Sequence, residues 1–194
     1  MFNLAYPLES HIFIDEKKFK VDMSFDNILR LYDLLDDPFI SEEQQIEVGL
    51  EMLIGKVSDL TIRKKAHVIK QIFDKLIHQG KRATVEENVD IQGNPMPIEK
   101  KGATFSLVED ASYIYASFFQ DYGVNLFEQQ GKLDWREFLA LLDGLSEKTR
   151  IKEIIEIRTM DLPKGKGMEK QRQKILKMKE IYKLASEPSI NRTN

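Results

Sequence analysis

Apolar residues recur along this chain at intervals of three and four, in blocks separated by Gly, Pro or a capping residue. Ile62, Ala66, Ile69, Phe73, Leu76 and Ile77 hold that spacing for several turns. At 3.6 residues per turn such a stripe lies on one side of an α-helix and must be covered by another element. The expected fold class is therefore mainly α: a multi-helix bundle in two lobes, with a small β-hairpin at the N-terminus.

The hairpin is read from Ile12-Phe13-Ile14 and Phe19-Lys20-Val21, which flank the polar run Asp15-Glu16-Lys17-Lys18. A lone two-stranded ribbon is marginal in water, so it is expected to lie on helices. Ser24 is placed to cap a helix bearing Ile28, Leu31, Tyr32 and Leu35, stopped by Pro38. Ser41-Glu42-Glu43-Gln44 has the form of a capping box, opening a helix whose stripe is Ile46, Leu50, Leu53, Ile54 and Val57. The Ile62–Ile77 stripe makes a third helix, which Gly80 can end. Residues 1–80 are thus expected to form a hairpin with a three-helix lobe.

Residues 81–104 lose the pattern. Gly93-Asn94-Pro95-Met96-Pro97 and Lys100-Lys101-Gly102 mark them as a linker. A C-terminal helical lobe is expected over residues 105–186. Its first helix runs to Tyr122 and stops at Gly123, with Ile114, Phe118 and Tyr122 on one face and Tyr113, Ala116 and Phe119 on another. Trp135, Phe138, Leu139 and Leu142 define a second helix, and Ile151, Ile154, Ile155 and Ile157 a third. After the break at Pro163–Gly167, a last helix sets Ile175, Met178, Tyr182 and Ala185 against lysines on the other side. Residues 187–194 read as a frayed tail.

The chain has no cysteine, which excludes disulfides and thiolate metal sites. Leu126 to Glu137 places Gly131, Asp134 and Glu137 like positions six, nine and twelve of a calcium-binding EF-hand loop. Leu126 stands where the first carboxylate belongs, and Glu128 and Gln130 follow, so the segment reads as a helical corner. His11, His67 and His78 lack partners at ligand spacing. Lys164-Gly165-Lys166-Gly167 has neither a preceding strand nor a following Ser or Thr and is a turn, not a phosphate loop. No nucleophile, acid–base pair or cofactor motif emerges, so neither an enzymatic activity nor a cofactor is expected. The N-terminus does not read as a signal peptide, and no run approaches the ~20 apolar residues of a membrane span.

A chain that concentrates apolar side chains without chemistry is expected to bind another polypeptide. Candidate contacts are Tyr113 and Phe119 on an over-apolar helix, Trp135 and Phe138 with a primary place in the core, and the lysines Lys170, Lys174 and Lys177. From Pro163 to Asn194 nine Lys or Arg face three Glu, so that stretch carries +6 and the remainder −9 of the net −3. The basic helix permits nucleic-acid binding, which ranks last because no recognition motif accompanies it.

Several blocks together resemble the bacteriophage "gene product fifteen" family of tailed phages: Tyr113-Ile114-Tyr115-Ala116-Ser117-Phe118, Tyr122-Gly123 followed by Leu126, Leu133 through Leu145 around Trp135, Ile157-Arg158, Asp161-Leu162, and the basic helix with Tyr182. The resemblance spans about Ile12 to Leu184. It departs from the family pattern at Arg136, where a second aromatic is more usual. It implies a helical, non-catalytic tail assembly chaperone for the tape-measure protein, acting in the host cytoplasm. Possible contact with the tail-tube protein and weak self-association or a homo-oligomer are implied with it. The alternative is a structural tail or connector component of the virion.

Overall fold

A computed structural model describes residues 4–78, 104–165 and 167–185. The described residues are mainly α-helical, with one antiparallel hairpin near the N-terminus. They fall into two compact units: Met1–Glu86 with Phe127–Ala140, and Glu87–Leu126 with Leu141–Asn194.

In the first unit, strands β1 (His11–Ile14) and β2 (Lys17–Lys20) pair with Ile12 opposite Phe19. The turn is only Asp15 and Glu16, both with positive φ (46° and 65°), so β2 begins two residues earlier than the apolar pattern implies. Such a tight turn matches the strand twist, as primed two-residue turns do. Ile12 and Ile14 point into the core, as does Val21 just past β2, while Phe13 faces solvent. The Asp15 carboxylate takes a 2.8 Å contact from Lys64 Nζ.

Helices α1 (Phe25–Asp36), α2 (Glu42–Ile54) and α3 (Ile62–Ile72) pack in sequence order, α1 on α2 and α2 on α3. The capping box at α2 is present as the sequence indicates: the Ser41 hydroxyl accepts from Gln44 N, and the Gln44 side chain accepts from Ser41 N. Ser24 precedes α1 but does not cap it through its side chain; its hydroxyl donates to Asp22 Oδ1 at 2.7 Å instead. Val57 lies beyond α2, because Gly55 takes φ +80° and stops the helix. After Ile72 the backbone widens into a π turn, Phe73–Ile77, closed by His78 N donating to Phe73 O at 2.8 Å. The expected stop at Gly80, the linker at 81–104 and the tail at 187–194 lie outside the described residues, apart from Thr104.

The expected single C-terminal lobe over 105–186 needs correction. Residues 127–140 belong to the first unit, for reasons that sequence spacing does not carry. Phe25 N donates to Leu133 O (2.9 Å) and Trp135 N to Met23 O (2.7 Å), forming a short bridge. Gly131, at φ +70°, donates its N–H to Asp26 Oδ1 at 2.7 Å. Helix α5 (Trp135–Asp143) then stacks Phe138 on Phe25 at 5.0 Å and tilts Trp135 against Tyr32 at 6.0 Å. Arg136 is 7 % exposed; it forks onto Asp134 (2.9 and 2.8 Å) and donates to Glu9 O and Ser10 Oγ. A buried guanidinium with that many partners holds the N-terminal segment in place.

Phe138 is 2 % exposed. Truncating it to Ala should cost about 3–5 kcal/mol, the usual range for a buried Phe. Urea denaturation followed by near-UV dichroism checks this; a loss under about 1 kcal/mol would place the ring outside the core.

Candidate interaction surface

The second unit is built on α4 (Ala111–Tyr122), α6 (Arg150–Thr159) and α7 (Glu169–Ile181). Helix α4 packs on α6, and α6 on α7. Gly123 ends α4 in the left-handed conformation, as read from the sequence. Its inner face is Ile114, Ser117 and Phe118, the last fully buried. Ser117 Oγ donates to Tyr113 O (2.7 Å) and accepts from Ile151 N (3.1 Å), fixing the start of α6 against α4. Ile151, Ile154 and Ile157 are buried, while Ile155 is half-buried.

A buried ion pair joins the far ends of α4 and α6. Arg158 donates through NH1 and NH2 to the two Asp110 carboxylate oxygens at 2.7 and 2.8 Å. The same guanidinium donates to Tyr182 O (2.6 Å) and Thr104 O (3.2 Å). Burial pushes the Asp110 carboxyl upward. The Arg158 hydrogen bonds, the Ser106 backbone N–H and the positive charge of Arg158 outweigh that push, leaving it below the ordinary aspartate value.

Helix α7 is attached differently. No residue of Glu169–Ile181 is fully buried; Ile175, Met178 and Tyr182 are half-buried on its inner side. The apolar anchor is Leu184 (1 % exposed), not Ala185, because the helix ends at Ile181 and the chain turns. Polar ties complete the attachment. Arg150 donates to Tyr182 OH at 2.5 Å, Lys179 Nζ to Arg158 O at 3.0 Å, and Ala185 N to Glu109 Oε2 at 2.7 Å. The Arg150 guanidinium also lies over the Tyr182 ring, 5.2 Å from its centroid.

Beside its buried face, α4 carries an aromatic ridge. Tyr115, Phe119 and Tyr122 stand at i, i+4 and i+7, one side of a helix. Phe119 is 56 % exposed and stacks on Tyr115 at 6.4 Å, nearly parallel at 17°. Tyr122 is 36 % exposed, leans edge-on against Phe118 and donates its hydroxyl to Leu141 O at 2.9 Å. Two exposed aromatics one helical turn apart, one of them stacked on a half-buried third, are the kind of anchors on which protein interfaces are built.

The sequence matches the family model of the Bacteriophage Gp15 protein over residues 7–184. The chain belongs to the bacteriophage Gp15 family. No curated protein and no solved structure matches it. Membership of the Gp15 family marks a phage protein of particle structure or assembly.

In this Gp15 family member the candidate contact residues separate. Phe119 is exposed, as expected for a contact. Tyr113 is half-buried, edge-on to Tyr182 at 6.4 Å; the ring on which Phe119 stacks is Tyr115, also half-buried. Trp135 and Phe138, 3 % and 2 % exposed, are core of the first unit and offer no surface. Lys170, Lys174 and Lys177 are exposed on the outer side of α7. The sequence pattern sets Tyr122 with Ile114 and Phe118, and Phe119 with Tyr113; in the structure Tyr122 is exposed and Phe119 stacks on Tyr115. Asp110 and Arg158 gave no signal of their pairing, since they stand 48 residues apart.

His11, His67 and His78 are exposed. Among the described residues no group of three or more His, Asp or Glu is placed to hold a metal ion. In the loop that resembles an EF-hand, Asp134 is taken by Arg136, and Glu137 Oε2 accepts from Asp134 N at 3.4 Å. No helix among the described residues is long and apolar enough to cross a membrane.

Removing Arg158 should leave Asp110 buried without its partner. Arg158→Ala is expected to cost about 3–5 kcal/mol in chemical denaturation, the range for breaking a buried pair from one side. The pH dependence has a definite sign. A carboxyl held low in the folded state stabilises fully above its unfolded pKa, about 3.9. That stability is lost as pH falls through the lower folded value. Acid unfolding of Asp110→Asn should therefore lack that component; identical acid titrations of the variant and the parent would contradict it.

Proposed function

We propose that this protein is a non-catalytic tail assembly chaperone. It binds the phage tape-measure protein in the host cytoplasm and keeps it soluble until tail-tube subunits assemble around it. The observation that supports this reading is the aromatic ridge of Tyr115, Phe119 and Tyr122, in which Phe119 and Tyr122 face solvent and Phe119 stacks on the half-buried Tyr115. A long helical protein exposes apolar stripes that aggregate unless covered. A helix face with anchors one turn apart suits such a stripe. Many copies, each held weakly, give avidity along a long partner and still come away one at a time.

The test is co-expression with the tape-measure protein of the same phage. The tape-measure protein should be soluble with the parent chain and insoluble with Phe119→Asp, whose fold should be preserved because the side chain is exposed. Equal solubility with both, or without either, would contradict the proposal. Mass spectrometry of purified virions separates the structural-component reading: a chaperone is depleted from finished particles, whereas a tail or connector part is present in fixed stoichiometry.

A further inference from the structure

Two solvent-facing helix faces of opposite charge stand out, one in each unit. Helix α2 holds four glutamates and no basic residue over Glu42–Ile54. Its outer side carries Glu43, Glu47 and Glu51, spaced i, i+4 and i+8, with Gln44 and Val48 beside them, all exposed. Just before it, Phe39 is 95 % exposed. Helix α7 holds five basic residues against two glutamates, a net +3 over Glu169–Ile181. Its outer side carries Lys170, Lys174, Lys177 and Ile181, at i, i+4, i+7 and i+11, all exposed, with Ile181 at 63 %.

We propose that the outer face of α7 docks on the outer face of α2 in a second copy of this chain. Both helices have thirteen residues. Laid antiparallel, they bring Lys170 to Glu51, Lys174 to Glu47, Lys177 to Glu43, and the apolar Ile181 to Phe39. The spans agree: Lys170 to Lys177 rises about 10.5 Å and Glu51 to Glu43 about 12 Å, at 1.5 Å per residue. Competing charges on the acidic face are Lys65, bonded to Glu47 at 2.6 Å, and Lys56, 3.7 Å from Glu51. They leave Glu43 unscreened by either, and Glu51 only loosely held. On the basic face Glu169 and Glu180 lie to one side of the lysine stripe.

The contact is heterologous, because two different surfaces meet. Each copy then keeps one free α2 face and one free α7 face, so association extends head to tail unless the rotation closes a ring. Exposed ion pairs are individually weak and screened by salt, so the association is modest and falls as ionic strength rises. It does not depend on the tape-measure reading, since it concerns two copies of this chain alone.

Sedimentation of the full chain over a concentration series tests it. The parent protein should associate at low salt and dissociate at high salt. Lys170→Glu with Lys177→Glu makes both faces acidic, and Glu43→Lys with Glu51→Lys makes both basic. Each variant alone should associate at least about tenfold more weakly, the scale expected from two or three exposed pairs. A one-to-one mixture of the two variants should recover association, because acidic α7 faces then meet basic α2 faces. Far-UV dichroism confirms that the variants are folded; the exposed single changes Lys177→Glu and Glu43→Lys, separately and mixed, serve if a double variant is not. A parent that stays monomeric at low salt overturns the proposal, as do variants that associate like the parent or a mixture that remains monomeric. Parent protein that assembles only on an added DNA duplex of about 20 bp would assign the basic stripe to nucleic acid instead.

Discussion

The second unit depends on one guanidinium. Arg158 holds both oxygens of Asp110 at the start of α4, the backbone of Thr104 before it, and Tyr182 O where α7 ends. Three segments are thereby fixed to one side chain. The arrangement costs desolvation of two charges, which their mutual bonds and the Ser106 N–H offset. Its consequence is that α7 can be held without burying a full apolar stripe, which leaves its outer side exposed.

The first unit solves the same problem with aromatic stacking. Phe25, Phe138, Trp135 and Tyr32 form a connected set, and the Ser24–Asp134 bridge brings residues 127–140 to it. Arg136 follows Trp135 at the start of α5 and is itself buried. Its bonds to Asp134, Glu9 and Ser10 give the position a tethering role in this chain. The exposed aromatics are thus not the ones with the densest sequence signal: Trp135 and Phe138 are interior, and the α4 ridge is the surface.

What the sequence made legible follows from local physics. Apolar stripes at helical spacing, the Ser41 capping box and the Gly123 stop depend on neighbours within a turn and appear where read, except that Val57 and Ala185, read into the ends of two stripes, lie beyond their helices. The hairpin was legible too, except that the turn closes on two residues with positive φ. The π turn at Phe73–Ile77 was not, since nothing in that stretch distinguishes it from continued α-helix. Nor was the placement of residues 127–140, which rests on contacts to residues more than a hundred positions away, such as Gly131 to Asp26. The buried arginines escaped notice for a related reason. Arginine is ordinarily a surface residue, and only the distant carboxylates and carbonyls of the fold make Arg136 and Arg158 interior. On the candidate surface, Phe119 was legible as an odd aromatic on an over-apolar helix, whereas the packing of Tyr113 on Tyr182 and of Phe119 on Tyr115 was not.

The central claim is that the α4 ridge is the side of this protein that another chain covers. Hydroxyl-radical footprinting of the protein alone and in complex with the tape-measure protein tests it at single residues. The account predicts strong protection of Phe119, Tyr115 and Tyr122 on binding, with Phe138 and Phe118 unreactive in both states. A stable complex that leaves Phe119 as reactive as in the free protein would contradict it.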